Sequence, residues 1–326
     1  MISNLPADLL EEILSRVPAT SMIRLRSTCK QWYNLFKDQM FAEKHLRNVP
    51  KKLRVITLKE NRLFLPSVDL NFVPPGPYGL MDSAFHCDGL LLCTTGEDEL
   101  VVWNPCLGET TWIKHSEGSK KLHTFLLRYE NNQSCHSYKI LMFWDCDELY
   151  DGQVDGFKLY DFNSNAWRVV NYPNCFIMNS HGVNVKGNGY WNAYDDNYVD
   201  YILSFDFTGE RFIRLCLPPP SQGCMYTSLS VVREELLVLR CVKGSSKIEM
   251  WVTTNKMDTS ASELSWSKSF TMNFGFPVIV YTSLLVDEDK KVVLCDTIVG
   301  DHLSGACTIG EEDKYYSEIA FEGMSI

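Results

Sequence analysis

The sequence predicts an α plus all-β chain: a small helical module over residues 1–47, then a β-propeller-like domain over residues 48–326. Three observations predict it. Apolar residues recur with helical period from Asn4 to His45 and lose that period beyond Leu53. Short β-rich runs then alternate with Gly, Asn, Asp and Pro. Four of these runs end in an aromatic residue (Trp103, Tyr160, Phe205 and Trp251), spaced 57, 45 and 46 residues apart.

The first helix is expected to start at Pro6, where a missing N–H costs nothing. Asp8 follows in the first turn, at the positive end of the helix dipole. At about 100° per residue, Leu5, Leu9, Leu10, Ile13, Leu14 and Val17 fan over about half the helix circumference. Pro18 ends that helix. Thr20 is expected to cap a second, in which Met22, Leu25 and Cys29 share a face. A third short helix brings Trp32, Leu35 and Phe36 together. The apolar arc of the first helix is wider than a surface helix needs. Units of this size rarely bury enough apolar surface without a disulfide, a metal or a partner. The stretch has no metal-ligand spacing, and its one cysteine is Cys29. Two readings stand at this point: the surplus arc is a partner groove, or the helices cap the rest of the same chain.

Arg47 to Lys52 is short and polar and contains Pro50, a junction between the two parts. Beyond it each repeat reads as three strands. Gly89 to Thr95, Tyr138 to Trp144, Gly189 to Tyr194 and Leu236 to Val242 come first. The aromatic-ending strands come second, three of them followed at once by Asn104, Asp161 or Asp206. A turn and a second aromatic follow: Trp112, Trp167, Phe212 and Trp266. The period is near that of propeller blades; the alternative is an irregular antiparallel β-sandwich. Leu284 to Leu294 reads as a further hairpin around a charged turn. A strand near residues 317–321 is expected to lie beside one near 53–58, which would remove an exposed edge.

Composition excludes several classes. Net charge is −10 and pI about 5.2, whereas phosphate binding needs a basic stripe, so nucleic acid is not an expected partner. No apolar run reaches the roughly 18 residues of a membrane span. The opening residues lack the basic start of a secretory signal, and a nuclear or cytoplasmic protein is expected. The 12 cysteines contain no C-x-x-C pair. Cys93, Cys241 and Cys295 sit in apolar runs, as buried thiols do.

Candidate chemistry is thin. His86, Cys87 and Asp88 are the residue types of a nucleophilic site, but contiguous residues on an extended chain point to opposite faces. Asp145, Asp147, Glu148, Asp151 and Asp155 are acidic, yet an EF-hand would need a ligand and a glycine where Leu149 and Tyr150 stand. The seven histidines show no metal spacing, and there is no phosphate loop. No catalytic, cofactor or metal site is expected. In the aromatic-rich stretch from Tyr190 to Tyr201, Trp191 reads as core. Tyr194, Asp195, Asp196 and Tyr198 form a candidate target-contact loop.

Leu5-Pro6, Asp8-Leu9-Leu10, Glu12-Ile13-Leu14, Arg16-Val17-Pro18, Ser21, Arg24, Arg26, Cys29-Lys30, Trp32, Leu35, Phe41 and His45 resemble the F-box motif. Gln39 departs from it, standing where plant members often carry proline. Cys87-Asp88-Gly89-Leu90-Leu91, Trp103-Asn104-Pro105, Tyr160-Asp161, Gly187-Asn188-Gly189-Tyr190-Trp191, Leu229 to Glu235 and Glu249-Met250-Trp251-Val252 resemble the F-box-associated, kelch-like domain of plant F-box proteins. The resemblance implies that Leu5, Pro6, Leu9, Leu10, Ile13, Leu14, Val17, Pro18, Leu25, Cys29 and Trp32 bind a Skp-type adaptor and, through it, a cullin. The β domain would hold a target protein. The chain would then be a non-catalytic, substrate-recognition adaptor of a Skp–cullin–F-box ubiquitin ligase, directing targets to ubiquitination and proteasomal degradation. The alternatives are a carbohydrate- or glycoprotein-binding F-box module and an F-box protein acting outside the ligase.

Overall fold

The computed structural model describes residues 6–48, 57–59, 62–64, 71–72, 81–87, 90–95, 99–104, 109–115, 123–132, 135–145, 154–177, 182–219, 224–232, 234–242, 247–254, 263–273, 279–287, 292–299, 302–309 and 316–319. Two compact units divide the chain, Met1–Ser116 and Glu117–Ile326.

The first unit opens with four helices: α1 (Ala7–Leu14), α2 (Ala19–Leu25), α3 (Lys30–Lys37) and α4 (Gln39–Asn48). Pro6 stands at the cap of α1, and its carbonyl accepts the Leu10 N–H at 3.0 Å. Thr20 does not cap α2. Pro18 occupies the cap, and its carbonyl accepts from Ser21 at 2.8 Å and Met22 at 3.3 Å, so Thr20 falls inside the helix. The proline ring presets the entry angle that a hydroxyl cap would otherwise have to enforce. Asp38 separates α3 from α4, and its Oδ1 accepts the Phe41 N–H at 2.9 Å, which satisfies a free donor of the last helix. Leu10, Leu14, Met22, Phe36 and Phe41 form the module's core, with Val17, Leu25, Trp32 and Leu35 half-buried against it.

The same unit holds a three-stranded sheet, β1 (Thr57–Lys59), β2 (Arg62–Phe64) and β3 (Asn71–Phe72). It also holds a four-stranded one, β4 (Met81–Cys87), β5 (Leu90–Thr95), β6 (Glu99–Asn104) and β7 (Glu109–Lys114). Leu91, Cys93, Val101 and Trp103 are buried together in this second sheet. Lys37 at the end of α3 pairs with Glu109 of β7 at 2.5 Å.

The second unit repeats the four-stranded antiparallel pattern. β8 (His123–Asn132), β9 (Cys135–Asp145), β10 (Val154–Asp161) and β11 (Ala166–Val170) make one sheet. β12 (Phe176–Ile177), β13 (Val183–Val185), β14 (Asn188–Tyr194), β15 (Asp200–Asp206) and β16 (Arg211–Leu215) make the next, with β12 and β13 both on β14. Then come β17 (Cys224–Val232), β18 (Glu235–Val242), β19 (Lys247–Thr253) and β20 (Trp266–Asn273). The last are β21 (Ile279–Asp287), β22 (Val292–Val299), β23 (His302–Ile309) and β24 (Tyr316–Ile319). The propeller-like class predicted from the repeat is the class observed; where the repeat showed three strands, four of the sheets have four and the β12–β16 sheet has five. The expected partnership of residues 317–321 with 53–58 falls in large part on residues outside those described, 53–56 and 320–321; among the described residues β24 pairs with β23, and β1 with β2.

The aromatic-then-Asp signature has a physical origin. Asp161 faces Ala166 across a four-residue turn, and its Oδ1 accepts the Asn163 N–H at 2.8 Å. Asp206 faces Arg211 across another, and its Oδ1 accepts from Thr208 and Gly209 at 3.0 Å. The aromatic enters the sheet core while the next residue's carboxylate closes the hairpin. Positive φ at Asn165 and Glu210 completes these turns. At Lys186–Gly187, where φ is 45° and 89°, Val185 pairs with Asn188 across a two-residue hairpin that needs two left-handed residues.

Side chains of β15 alternate between two cores. Leu203 and Phe205 pack with Leu141, Phe157 and Trp191. Ile202 packs on the opposite face with Leu229, Leu236 and Val238. A strand buried on both sides is what stacked blades require, and its whole run from Tyr201 to Asp206 is buried.

Candidate functional site

The α1 helix separates its apolar residues into two sets. Leu10 and Leu14 are 4% and 3% exposed and belong to the module's core, not to the face expected to meet an adaptor. A helix of eight residues spends one edge of a wide apolar arc on its own bundle. The other edge stays out: Leu9 is 53% and Ile13 50% exposed. They stand one turn apart, where side chains are neighbours. Among the other residues expected on this face, Pro6, Pro18 and Cys29 are exposed, and Val17, Leu25 and Trp32 are half-buried. Leu5 lies outside the described residues.

Three polar links fix α1 and the turn that follows it to α4. The Lys44 ammonium pairs with Glu11 at 2.9 Å and Glu12 at 3.1 Å. Asn48 Nδ2 donates to Ser15 Oγ at 2.8 Å. The ring Nε2 of His45 lies 2.7 Å from the Val17 carbonyl, with the imidazole stacked on Phe41. Hydrogen bonds from Arg16, then Lys44, hold the Glu12 carboxyl below its ordinary value; Glu11, then Glu12, hold Lys44 above its own. Met40, 80% exposed, lines the shallow groove beside Glu11, Glu12 and Lys44. The module thus presents an exposed apolar pair, Leu9 and Ile13, on the helix that also lines this charged groove.

The second surface is the turn between β14 and β15. Tyr194, Asp195, Asp196 and Tyr198 do come together there. The Tyr198 N–H donates to the Asp195 carbonyl at 2.8 Å, and Asp195 Oδ1 accepts from the Asn197 and Val199 N–H groups at 3.0 Å. Arg214 pairs with Asp195 at 2.8 Å while its guanidinium lies 4.0 Å from the centroid of the Tyr201 ring. The Val199 amide, then Arg214, hold the Asp195 carboxyl below its ordinary value. Asn174 Nδ2 donates to both oxygens of Asp196, at 3.1 and 3.0 Å. Phe176, Tyr194 and Tyr198 stack in sequence, with centroids 4.8 and 6.0 Å apart and planes within 8° and 12°. Tyr198 ends that stack 83% exposed and at φ 58°, a conformation that costs a tyrosine energy. The sequence marked this loop by its composition. It gave no sign of Phe176, Asn174 or Arg214, which come from other strands and loops.

Trp191 is fully buried, as its motif predicted. Gly189 lies against Leu126 and the Trp191 ring so closely that any Cβ would collide with both. Cys87 is buried, and Asp88 lies outside the described residues, as do Asp147, Glu148 and Asp151. Among the described residues no three His, Cys, Asp or Glu side chains are placed to hold a metal ion. No helix there is long and apolar enough to cross a membrane.

Comparison with known proteins agrees with the two-part reading. Residues 2–44 match the F-box domain, and residues 55–325 match the F-box associated beta propeller domain. An F-box protein of Arabidopsis thaliana is 43% identical over 343 residues, covering 98% of this chain and 89% of its own length. An F-box/kelch-repeat protein of the same plant is 45% identical over 346 residues, with 98% and 91% covered. A third relative there, also an F-box protein, is 45% identical over 323 residues, with 90% and 93% covered.

Proposed function

The chain belongs to the F-box proteins that carry an F-box-associated β-propeller domain, and from that premise we propose that it is the substrate-recognition subunit of a Skp–cullin–F-box ubiquitin ligase. The observation that carries the reading is the exposed Leu9–Ile13 edge on a helix whose opposite edge already fills the module's core. A Skp-type adaptor covers that edge and connects the chain to a cullin; the propeller domain holds a target protein. The chain supplies no reacting group. Its contribution to rate is proximity: target and charged ubiquitin-conjugating enzyme are held on one scaffold, which raises their effective concentration. Captured targets are ubiquitinated and pass to the proteasome, in the nucleus or the cytoplasm.

Co-expression with a Skp-type adaptor tests this. The chain and adaptor co-purify as one complex, and Leu9→Asp or Ile13→Asp abolishes the complex, because a carboxylate sealed in an apolar contact costs several kcal/mol. Undiminished co-purification of either variant contradicts the reading.

A further inference from the structure

The β14–β15 turn carries one filled cation site and, beside it, the same residue chemistry left empty. In the filled site the guanidinium of Arg214 sits 4.0 Å from the Tyr201 ring centroid and binds the Asp195 carboxylate at 2.8 Å. Aromatic face, carboxylate and guanidinium form one unit, in which the ring quadrupole and the anion attract the same cation. In the second set, Tyr198 offers an aromatic face and Asp196 a carboxylate. Neither has a cation among the described residues: Asp196 accepts only the neutral amide of Asn174, and Tyr198 is stacked on one side alone.

Three features make this a prepared surface. The ring is held in place from beneath by Tyr194 and Phe176. The backbone under it is fixed by the Asp195 carboxylate and kept at φ 58° although a tyrosine there is strained. Strain retained at an exposed position is better explained by what the side chain meets than by turn geometry, which asparagine or glycine would serve better. The local charge is negative. Arg214 is spent on Asp195, and the buried Arg240 acts on Asp200, which leaves the Asp196 carboxylate as the charge without a cation among the described residues. The whole chain carries −10. That field draws a cation toward the turn and gives a neutral sugar no such advantage.

We propose that this turn receives an arginine or lysine side chain of the bound target, its cation on the open face of Tyr198 and its charge paired with Asp196. The inference rests on the reading of the propeller domain as the target-holding part. It adds what that part recognises: a basic segment of a protein, with a planar guanidinium favoured because it stacks.

The test uses the full chain bound to its adaptor and a blocked peptide of alternating glycine and arginine, titrated at low salt with the Tyr198 ring followed by NMR. The expected result is a shift of the Tyr198 ring signals on binding. Tyr198→Asn, which suits the left-handed turn and removes the ring, weakens binding about two- to fivefold. Asp196→Asn does the same, and Tyr198→Phe leaves binding unchanged. Unaltered affinity in Tyr198→Asn overturns the proposal, since attraction to the acidic chain as a whole would then suffice. Absence of peptide binding overturns it too, as does a neutral hexasaccharide that shifts the Tyr198 ring where the peptide does not. Adaptor co-purification, measured on the same preparations, reports separately on the ligase reading. A chain that keeps its adaptor and ignores the peptide defeats the arginine site alone.

Discussion

Truncating the inner and outer apolar residues of α1 should have opposite consequences. Leu14 is 3% exposed among Leu10, Met22, Phe36 and Phe41, so Leu14→Ala removes buried carbon atoms and leaves a cavity. Such a change costs about 2–5 kcal/mol. That is most of what a four-helix module of this size has, and the module should unfold at a markedly lower temperature. Ile13 is 50% exposed, so about half of the roughly 1.5–3 kcal/mol available from burying its side chain is still unrealised in the free chain. Alanine also returns a few tenths of a kcal/mol through helix propensity. Ile13→Ala should therefore shift stability by about 1 kcal/mol or less, yet weaken adaptor binding by about 1–2 kcal/mol, or five- to thirtyfold. Thermal unfolding of the adaptor-free chain by circular dichroism gives the first quantity, and calorimetric titration with adaptor the second. Equal loss of stability in Ile13→Ala and Leu14→Ala would refute the division, as would an Ile13→Ala chain that binds adaptor at full strength.

Other expectations follow from the propeller domain and its cysteines. Lys139 is almost fully buried and held by Glu210 at 2.9 Å, with Arg168 on the same carboxylate, so Glu210→Gln should cost about 1–3 kcal/mol in urea unfolding, partly offset by solvent at Arg168. Burial pushes the Glu210 carboxyl up, but Lys139 and Arg168 pull it below its ordinary value on balance. The stabilisation is therefore present above the ordinary carboxylate range and is lost as pH falls through the lower, folded value; a Glu210→Gln chain should show a shallower acid slope. Burial raises Cys93 to about 12 and Cys175 to about 11. Peptide mapping after alkylation at pH 8 should find both unmodified until the chain unfolds, while Cys29 and Cys216, the exposed ones among the cysteines whose burial is described, are modified in the folded chain. Gly189→Ala should lower the thermal midpoint, because a methyl group there meets Leu126 and the Trp191 ring.

Much of the fold was legible because its signals are local. The 3.6-residue period gave α1 and α3. The aromatic-then-Asn/Asp step gave β6, β10 and β15; in β10 and β15 the aromatic fills the core and the next residue's carboxylate closes the turn. Less local features were not legible. The strands that precede each repeat, such as β8 and β17, do not end in an aromatic followed at once by Asn or Asp and so lack that signal. Thr20 looked like a cap because a hydroxyl at a helix start is a good one, but Pro18 two residues earlier had already set the start. Periodicity placed Leu9, Leu10, Ile13 and Leu14 on one arc. It could not say which edge the module's core would take, because that depends on Phe36 and Phe41 arriving from other helices. At the β14–β15 turn the sequence showed Tyr194 to Tyr198. The aromatic ladder through Phe176 and the Arg214–Asp195 pair needed the fold to bring distant residues together.

The most direct measurement of the central claim compares the intact chain with its Ile13→Asp variant in cells, by affinity purification with and without a proteasome inhibitor. Both should capture the same target through the propeller domain. With the intact chain the target should carry ubiquitin and accumulate only under the inhibitor; with the variant it should be unmodified and already abundant without it. A captured target whose ubiquitination and abundance are the same with both chains would contradict the assignment as a ligase substrate receptor.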